Sequence, residues 1–170
     1  MPAVVRRTID APLSRVWETV TDFAGYGRWI PLTTMAVDPM PPRVGWGFVG
    51  RTGLGPVGFR DSMLVTVWEP PDATDPHESR EPSEPSEPFV RPEPAQARFC
   101  VRKTGRLLAG WAEVVAVARD DGRTDLTWTE EIVPRPEPIG RLLQPLSDPV
   151  TSRLFARAVA GMAAAAEAMR

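Results

Sequence analysis

The chain has 170 residues, 42% of them hydrophobic and 25% charged, with a formal net charge of −2. That suits one globular domain with a sizeable core, and it supplies neither a basic surface for nucleic acid nor an attraction to an anionic membrane. A single histidine, His77, and a single cysteine, Cys100, exclude an internal disulfide, the usual His-based triads and most zinc sites, so no metal and no cofactor is expected.

Ala3–Ile9 reads as a first strand, rich in β-branched residues. The segment Met1–Arg7 carries no apolar core for a signal peptide, and no run approaches the roughly 20 apolar residues of a spanning helix. A cytoplasmic protein without stable membrane insertion is therefore expected. Asp10-Ala11-Pro12 starts a helix, with Asp as the cap and Pro in the first turn. Its apolar stripe is Val16, Trp17 and Val20. Thr21-Asp22 breaks that helix and caps a second short element, Phe23–Trp29, which Pro31 ends.

Thr33–Val37 is a short strand, and Gly45–Arg51 with Gly58–Glu69 forms a hairpin around the turn-rich Thr52–Pro56. In the second arm Phe59, Asp61, Met63, Val65 and Val67 share one face, and Arg60, Ser62, Leu64, Thr66 and Trp68 the other. Residues 72–94 are dominated by Pro, Glu and Ser and bury too little apolar area to offset the cost of ordering. They read as a disordered loop inside a single domain spanning 1–170. Ala97–Lys103, Leu108–Arg119 and Arg123–Pro134 are three more strands, the last two joined by the tight turn Asp120-Asp121-Gly122. In the first of these Arg98, Cys100 and Arg102 share a face. In the second Trp111, Glu113, Val115 and Val117 do, and in the third Leu126, Trp128, Glu130 and Ile132.

Pro134–Pro149 reads as proline-broken, with one helical turn at Ile139–Leu143. A long helix then runs from Pro149 to Arg170, roughly 30 Å at 1.5 Å per residue. Thr151, Phe155, Ala158, Val159, Met162, Ala165, Ala166 and Met169 form its apolar stripe. A strand, two short helices, a run of strands and a long helix predict an α+β fold, with the helix on one face of a curved antiparallel sheet of about seven strands.

Ile9-Asp10-Ala11-Pro12, Val16-Trp17, Val20-Thr21-Asp22, Tyr26 and Trp29-Ile30-Pro31 resemble the opening signature of the START/birch-allergen-like (SRPBCC) superfamily. More narrowly the chain resembles its bacterial polyketide cyclase/dehydrase and lipid transport proteins. Val44-Gly45, Phe59-Arg60-Asp61, Val67 to Pro71, Gly105, Gly110 and Asp121 to Trp128 extend the likeness across the later strands. The resemblance implies a helix-grip fold, a sheet wrapped around the C-terminal helix with an apolar cavity between them. It also implies a hydrophobic or amphipathic small-molecule ligand, lipid-like or polyketide-like.

The candidate ligand-binding residues are then Tyr26, Trp29, Phe59, Asp61, Met63, Val65, Trp111, Glu113, Val115, Trp128, Glu130, Phe155, Val159 and Met162. Trp29, like Trp17, reads equally as helix-to-sheet packing. Asp61, Glu113 and Glu130 alternate in phase with apolar neighbours, so an inward apolar face carries the carboxylates inward too, there to be paired with a cation or raised in pKa. Arg51, Arg98 and Arg102 are the candidate cations. No catalytic residue is assigned. Two alternatives stand beside the binding reading, for a monomer or a homodimer. One is an aromatase/cyclase-type enzyme, which convergence of two polar residues midway down the cavity would favour. The other is a partner-binding stress or toxin–antitoxin module.

Overall fold

Alternating apolar and polar residues place seven segments in one antiparallel sheet. The strands are β1 (Ala3–Ile9), β2 (Thr33–Val37), β3 (Gly47–Leu54), β4 (Val57–Glu69), β5 (Gln96–Lys103), β6 (Leu108–Ala118) and β7 (Thr124–Pro134). The computed structural model describes residues 2–54, 57–71 and 94–169, and their side chains apart from 54 and 137–151. Spatial order is β1-β7-β6-β5-β4-β3-β2. Two short helices follow β1, α1 (Leu13–Thr21) and a 3-10 helix (Phe23–Arg28), and a long helix, α2 (Glu137–Ala168), closes the chain. α2 packs on β1, β7 and α1, which is the helix-grip arrangement.

Local chemistry fixes the joints. Asp22 caps the 3-10 helix by accepting from the Gly25 N–H at 3.0 Å. The Tyr26 hydroxyl donates to the Val20 carbonyl at 2.5 Å, tying that helix to the end of α1. The turn after β6 is as the sequence predicts. Gly122 takes a φ of 78°, open only to residues that tolerate the left-handed region, and its N–H donates to the Arg119 carbonyl at 3.1 Å.

Three boundaries differ from the sequence reading. α1 begins at Leu13 with Pro12 as its N-cap, and Asp10 makes no side-chain cap. Instead the Asp10 N–H donates to Glu167 on α2 at 3.2 Å. α2 begins at Glu137, not Pro149, because Pro138 sits in the first turn, where no N–H is needed. Pro145 and Pro149 each remove one ladder bond but already hold a helical φ, and the helix continues through them. β3 runs on to Leu54, with Thr52 opposite Phe59. The remainder of the expected turn, 55–56, and the Pro/Glu/Ser-rich loop up to 93 lie outside the described residues.

Side-chain phase is set by packing, and here too the sequence reading needed correction. On β4 it holds through Asp61 and Val65, but a bulge between Val65 and Val67 shifts the register against β5. Trp68 therefore turns inward, its ring 5.0 Å from Trp17 and 6.2 Å from Phe99. On β6 the inward residues are Ala112, Val114 and Ala116, all buried. Trp111, Glu113 and Val115 face outward instead of into the cavity. The inner lane of β6 must be narrow because α1 packs across β5 and β6, so the small residues go in and the bulky ones out. On α2 the buried stripe is Phe155, Ala158, Val159, Met162, Ala163 and Ala166, while Met169 is exposed.

Candidate functional site

The inner faces of the strands, the 3-10 helix and α2 enclose a cavity of about 200 Å³. Most of its wall is apolar. Phe59 and Met63 come from β4, Phe99 and Val101 from β5, Trp128 and Ile132 from β7, Phe23 and Tyr26 from the 3-10 helix, and Phe155 from α2. Trp128 and Phe155 stack across the sheet–helix boundary at 6.1 Å, which gives the cavity one rigid aromatic corner.

Set into that wall are three acidic or basic side chains, Asp61, Lys103 and Glu130. They arrive from β4, β5 and β7 because each lies in phase with buried neighbours: Asp61 with Val65, Lys103 with Phe99 and Val101, Glu130 with Leu126 and Trp128. The strand between β5 and β7 carries Gly110 and Ala112 at this level, and Ala112 pairs with Glu130. That lane holds no bulky side chain, so Lys103 spans it. Its ammonium lies 2.6 Å from Asp61 Oδ2 and 3.3 Å from Glu130 Oε1. The Trp128 indole N–H donates to the other Glu130 oxygen at 3.2 Å. Asp61 Oδ1 is buried and has no hydrogen-bond partner among the described residues.

The electrostatics follow from burial. The side chains of Lys103 and Glu130 are only 5% and 4% exposed. Burial raises the Glu130 pKa above its ordinary value, and this outweighs the opposing pull of the Lys103 charge and of the Trp128 and Lys103 hydrogen bonds. For Lys103 burial works to lower the pKa, but Glu130 and Asp61 outweigh it and the net shift is upward. Lys103 is therefore an ammonium at neutral pH. The Tyr26 hydroxyl is pushed well above its usual pKa by burial, then by Glu130 and Asp22. The phenol keeps its proton and donates it to the Val20 carbonyl, so toward any other group its oxygen acts as an acceptor.

Of the sequence candidates, the cavity wall contains Tyr26, Phe59, Asp61, Met63, Trp128, Glu130 and Phe155. Val65, Val159 and Met162 are fully packed core residues behind it. Trp29 stands outside, against α2 at Gly161, with the Arg28 guanidinium 4.8 Å from its ring centroid. Trp111 and Glu113 form contacts on the outer face of the sheet. The Trp111 indole donates to Glu131 at 3.2 Å, and Glu113 is paired with Arg98 at 2.7 Å. Val115 shares that outer face. Cys100 sits beside this pair with its thiol pKa raised, chiefly by burial, which suits an inert thiol.

The charged residue missed from sequence is Lys103, and Phe23, Phe99, Val101 and Ile132 of the apolar wall were not among the candidates either. Arg98, one of three candidate cations, pairs with Glu113 on the outer face of the sheet and not in the cavity. The signal for Lys103 was present in the alternation Ala97, Phe99, Val101, Lys103, which is an inward face ending in a cation.

A profile of the family described as "Polyketide cyclase / dehydrase and lipid transport" matches residues 2–167. No curated protein matches the sequence. Among solved structures, a protein from Thermus thermophilus is similar with a TM-score of 0.63 and 11% identity, covering 98% of this chain and 97% of its own. A hypothetical protein from Helicobacter pylori has a TM-score of 0.65 at 9% identity, covering 98% and 88%. An aromatase/cyclase from Streptomyces sp. R1128 has a TM-score of 0.57 at 17% identity, covering 96% and 93%. Identities this low show a common fold.

Proposed function

The chain belongs to the polyketide cyclase/dehydrase and lipid transport family, and from that premise we propose that it binds one compact, mostly apolar small molecule in the cavity between sheet and α2. The observation that carries this reading is the buried Asp61–Lys103–Glu130 cluster in an otherwise apolar wall. Hydrophobic burial supplies affinity at about 25 cal/mol per Å² before association costs, and a few fixed polar groups set orientation. A volume of about 200 Å³ falls below the roughly 300–1,000 Å³ of common ligand pockets. It suits a small ring system better than a long acyl or poly-β-keto chain.

Native mass spectrometry of protein purified from its own host is the direct test, with organic extraction of whatever is bound. A single organic molecule at one per chain is the expected result. A protein that arrives empty and takes up no fluorescent apolar probe would show that the cavity is only a packing defect.

The convergence of Asp61, Lys103 and Glu130 in the cavity wall also favours a second reading, an aromatase/cyclase-type enzyme. There the cluster would shuttle protons to and from a β-keto substrate. Its test is turnover of a short poly-β-ketone, with loss of cyclised product in Lys103→Met. The small volume counts against it. No helix among the described residues is long and apolar enough to cross a membrane.

A further inference from the structure

The cavity's charge and wall chemistry narrow the ligand class, given the reading above that the cavity is a binding site. We propose that its occupant is a compact apolar molecule carrying a protonated amine that donates to the Asp61 carboxylate, and that carboxylates such as fatty acids are excluded.

Four observations converge on a cation. First, the cluster sets two carboxylates against one ammonium. Both oxygens of Glu130 accept from donors, Lys103 and the Trp128 indole, which is the arrangement of an ionised carboxylate. Two carboxylates against one ammonium leave the cluster one cation short in a low-dielectric site, a deficit that a proton or a bound cation relieves.

Second, Asp61 lines the cavity, and its Oδ1 is a buried acceptor without a donor among the described residues. A ligand carbonyl or carboxylate has no hydrogen to give it, whereas an ammonium has three. Leaving such an atom unsatisfied is costly, and a donor on the ligand removes that cost.

Third, the wall around the cluster holds several aromatic rings, among them Phe59, Phe99, Trp128 and Phe155. Their quadrupoles attract a cation and repel an anion. Fourth, Lys103 is the one Lys or Arg among the described residues lining the cavity. Its ammonium is already engaged by Asp61 and Glu130. Among the described residues no lining cation is left over to receive a ligand carboxylate.

The test is isothermal titration calorimetry at pH 7 with four ligands that share one body: 2-phenylethylamine, 2-phenylethanol, ethylbenzene and 3-phenylpropanoate. The expected ranking places the amine at least tenfold tighter than the alcohol, and the carboxylate at least a hundredfold weaker than the amine. In Asp61→Asn the amine falls to the level of the alcohol while ethylbenzene is unchanged. A carboxylate as tight as the amine overturns the proposal. So does an amine no better than the alcohol, and in both cases the cavity remains a binding site. Failure of all four, together with an empty protein by native mass spectrometry, overturns the binding reading as well. Should Asp61→Asn not fold, the ranking on the unaltered chain decides alone.

Discussion

The Lys103 ammonium lies 2.6 Å from one oxygen of Asp61, while the other oxygen of the same carboxylate is buried without a partner among the described residues. An ion pair this dry is weak evidence of net stabilisation, but removing one member leaves the other charge stranded. Lys103→Met is therefore expected to cost about 3–5 kcal/mol at pH 7. The loss should shrink in acid, as the stranded carboxylates take up protons. Urea unfolding at several pH values measures it, and a cost under about 1 kcal/mol at pH 7 would mean that the cluster is wetter than its burial implies.

Glu130 sets a second pH dependence. Its folded pKa is raised above the ordinary 4.5, with burial as the leading cause. A carboxyl raised on folding contributes stability that is fully present below its unfolded pKa and is lost as pH rises through the folded value. The wild type should therefore lose stability relative to Glu130→Gln as pH climbs from the ordinary carboxyl value to the folded pKa, with a plateau above. Parallel stability profiles for the two proteins through that window would contradict the shift.

On the outer face the same residue type should matter little. Glu113 pairs with Arg98 where both side chains are about a third exposed, and exposed ion pairs are worth roughly 0–1 kcal/mol. Glu113→Ala is expected to fall in that range and to leave probe binding unchanged. A binding defect in this variant would place the inner face of β6 on the wrong side.

Gly50 offers a way to close the cavity without disturbing the fold. It lies in β3 on the cavity wall, and an added Cβ would meet Met35 Sδ at 3.5 Å and Met63 Cε at 3.8 Å, ordinary contact distances. Leucine there also has better strand propensity than glycine. Gly50→Leu should lower apolar-probe affinity at least tenfold while keeping or raising Tm. Unchanged binding in a folded Gly50→Leu would place the probe elsewhere.

Gly161 on α2 behaves in the opposite way. A Cβ there would come within 2.5 Å of the Trp29 ring, the close approach that seats the 3-10 helix against α2. Gly161→Leu should destabilise by about 1–3 kcal/mol. In a Trp29→Ala background the clash is gone, and Gly161→Ala should stabilise by about 0.5–1 kcal/mol through helix propensity. Chemical denaturation of both Gly161 variants, each with and without Trp29→Ala, gives the comparison, and equal effects in both backgrounds would deny the contact.

The sequence by itself determined the order of elements, the tight turn at Gly122, which residues share a face on β7, most of the buried stripe of α2, and the phase of Asp61 and Glu130 with apolar neighbours. These are local signals: alternation, helical period and turn chemistry act within a few residues of chain. Only the tertiary structure decided three further things. It turned Trp68 inward, because a bulge between β4 and β5 resets side-chain phase and leaves no mark in composition. It turned Trp111 and Glu113 outward, because the lane of β6 beneath α1 has room only for Ala112, Val114 and Ala116, so bulk misleads about facing. And it made Lys103 the partner of both acids, because a pairing across β4, β5 and β7 depends on strand order and register, which are properties of the assembled sheet and of no single segment.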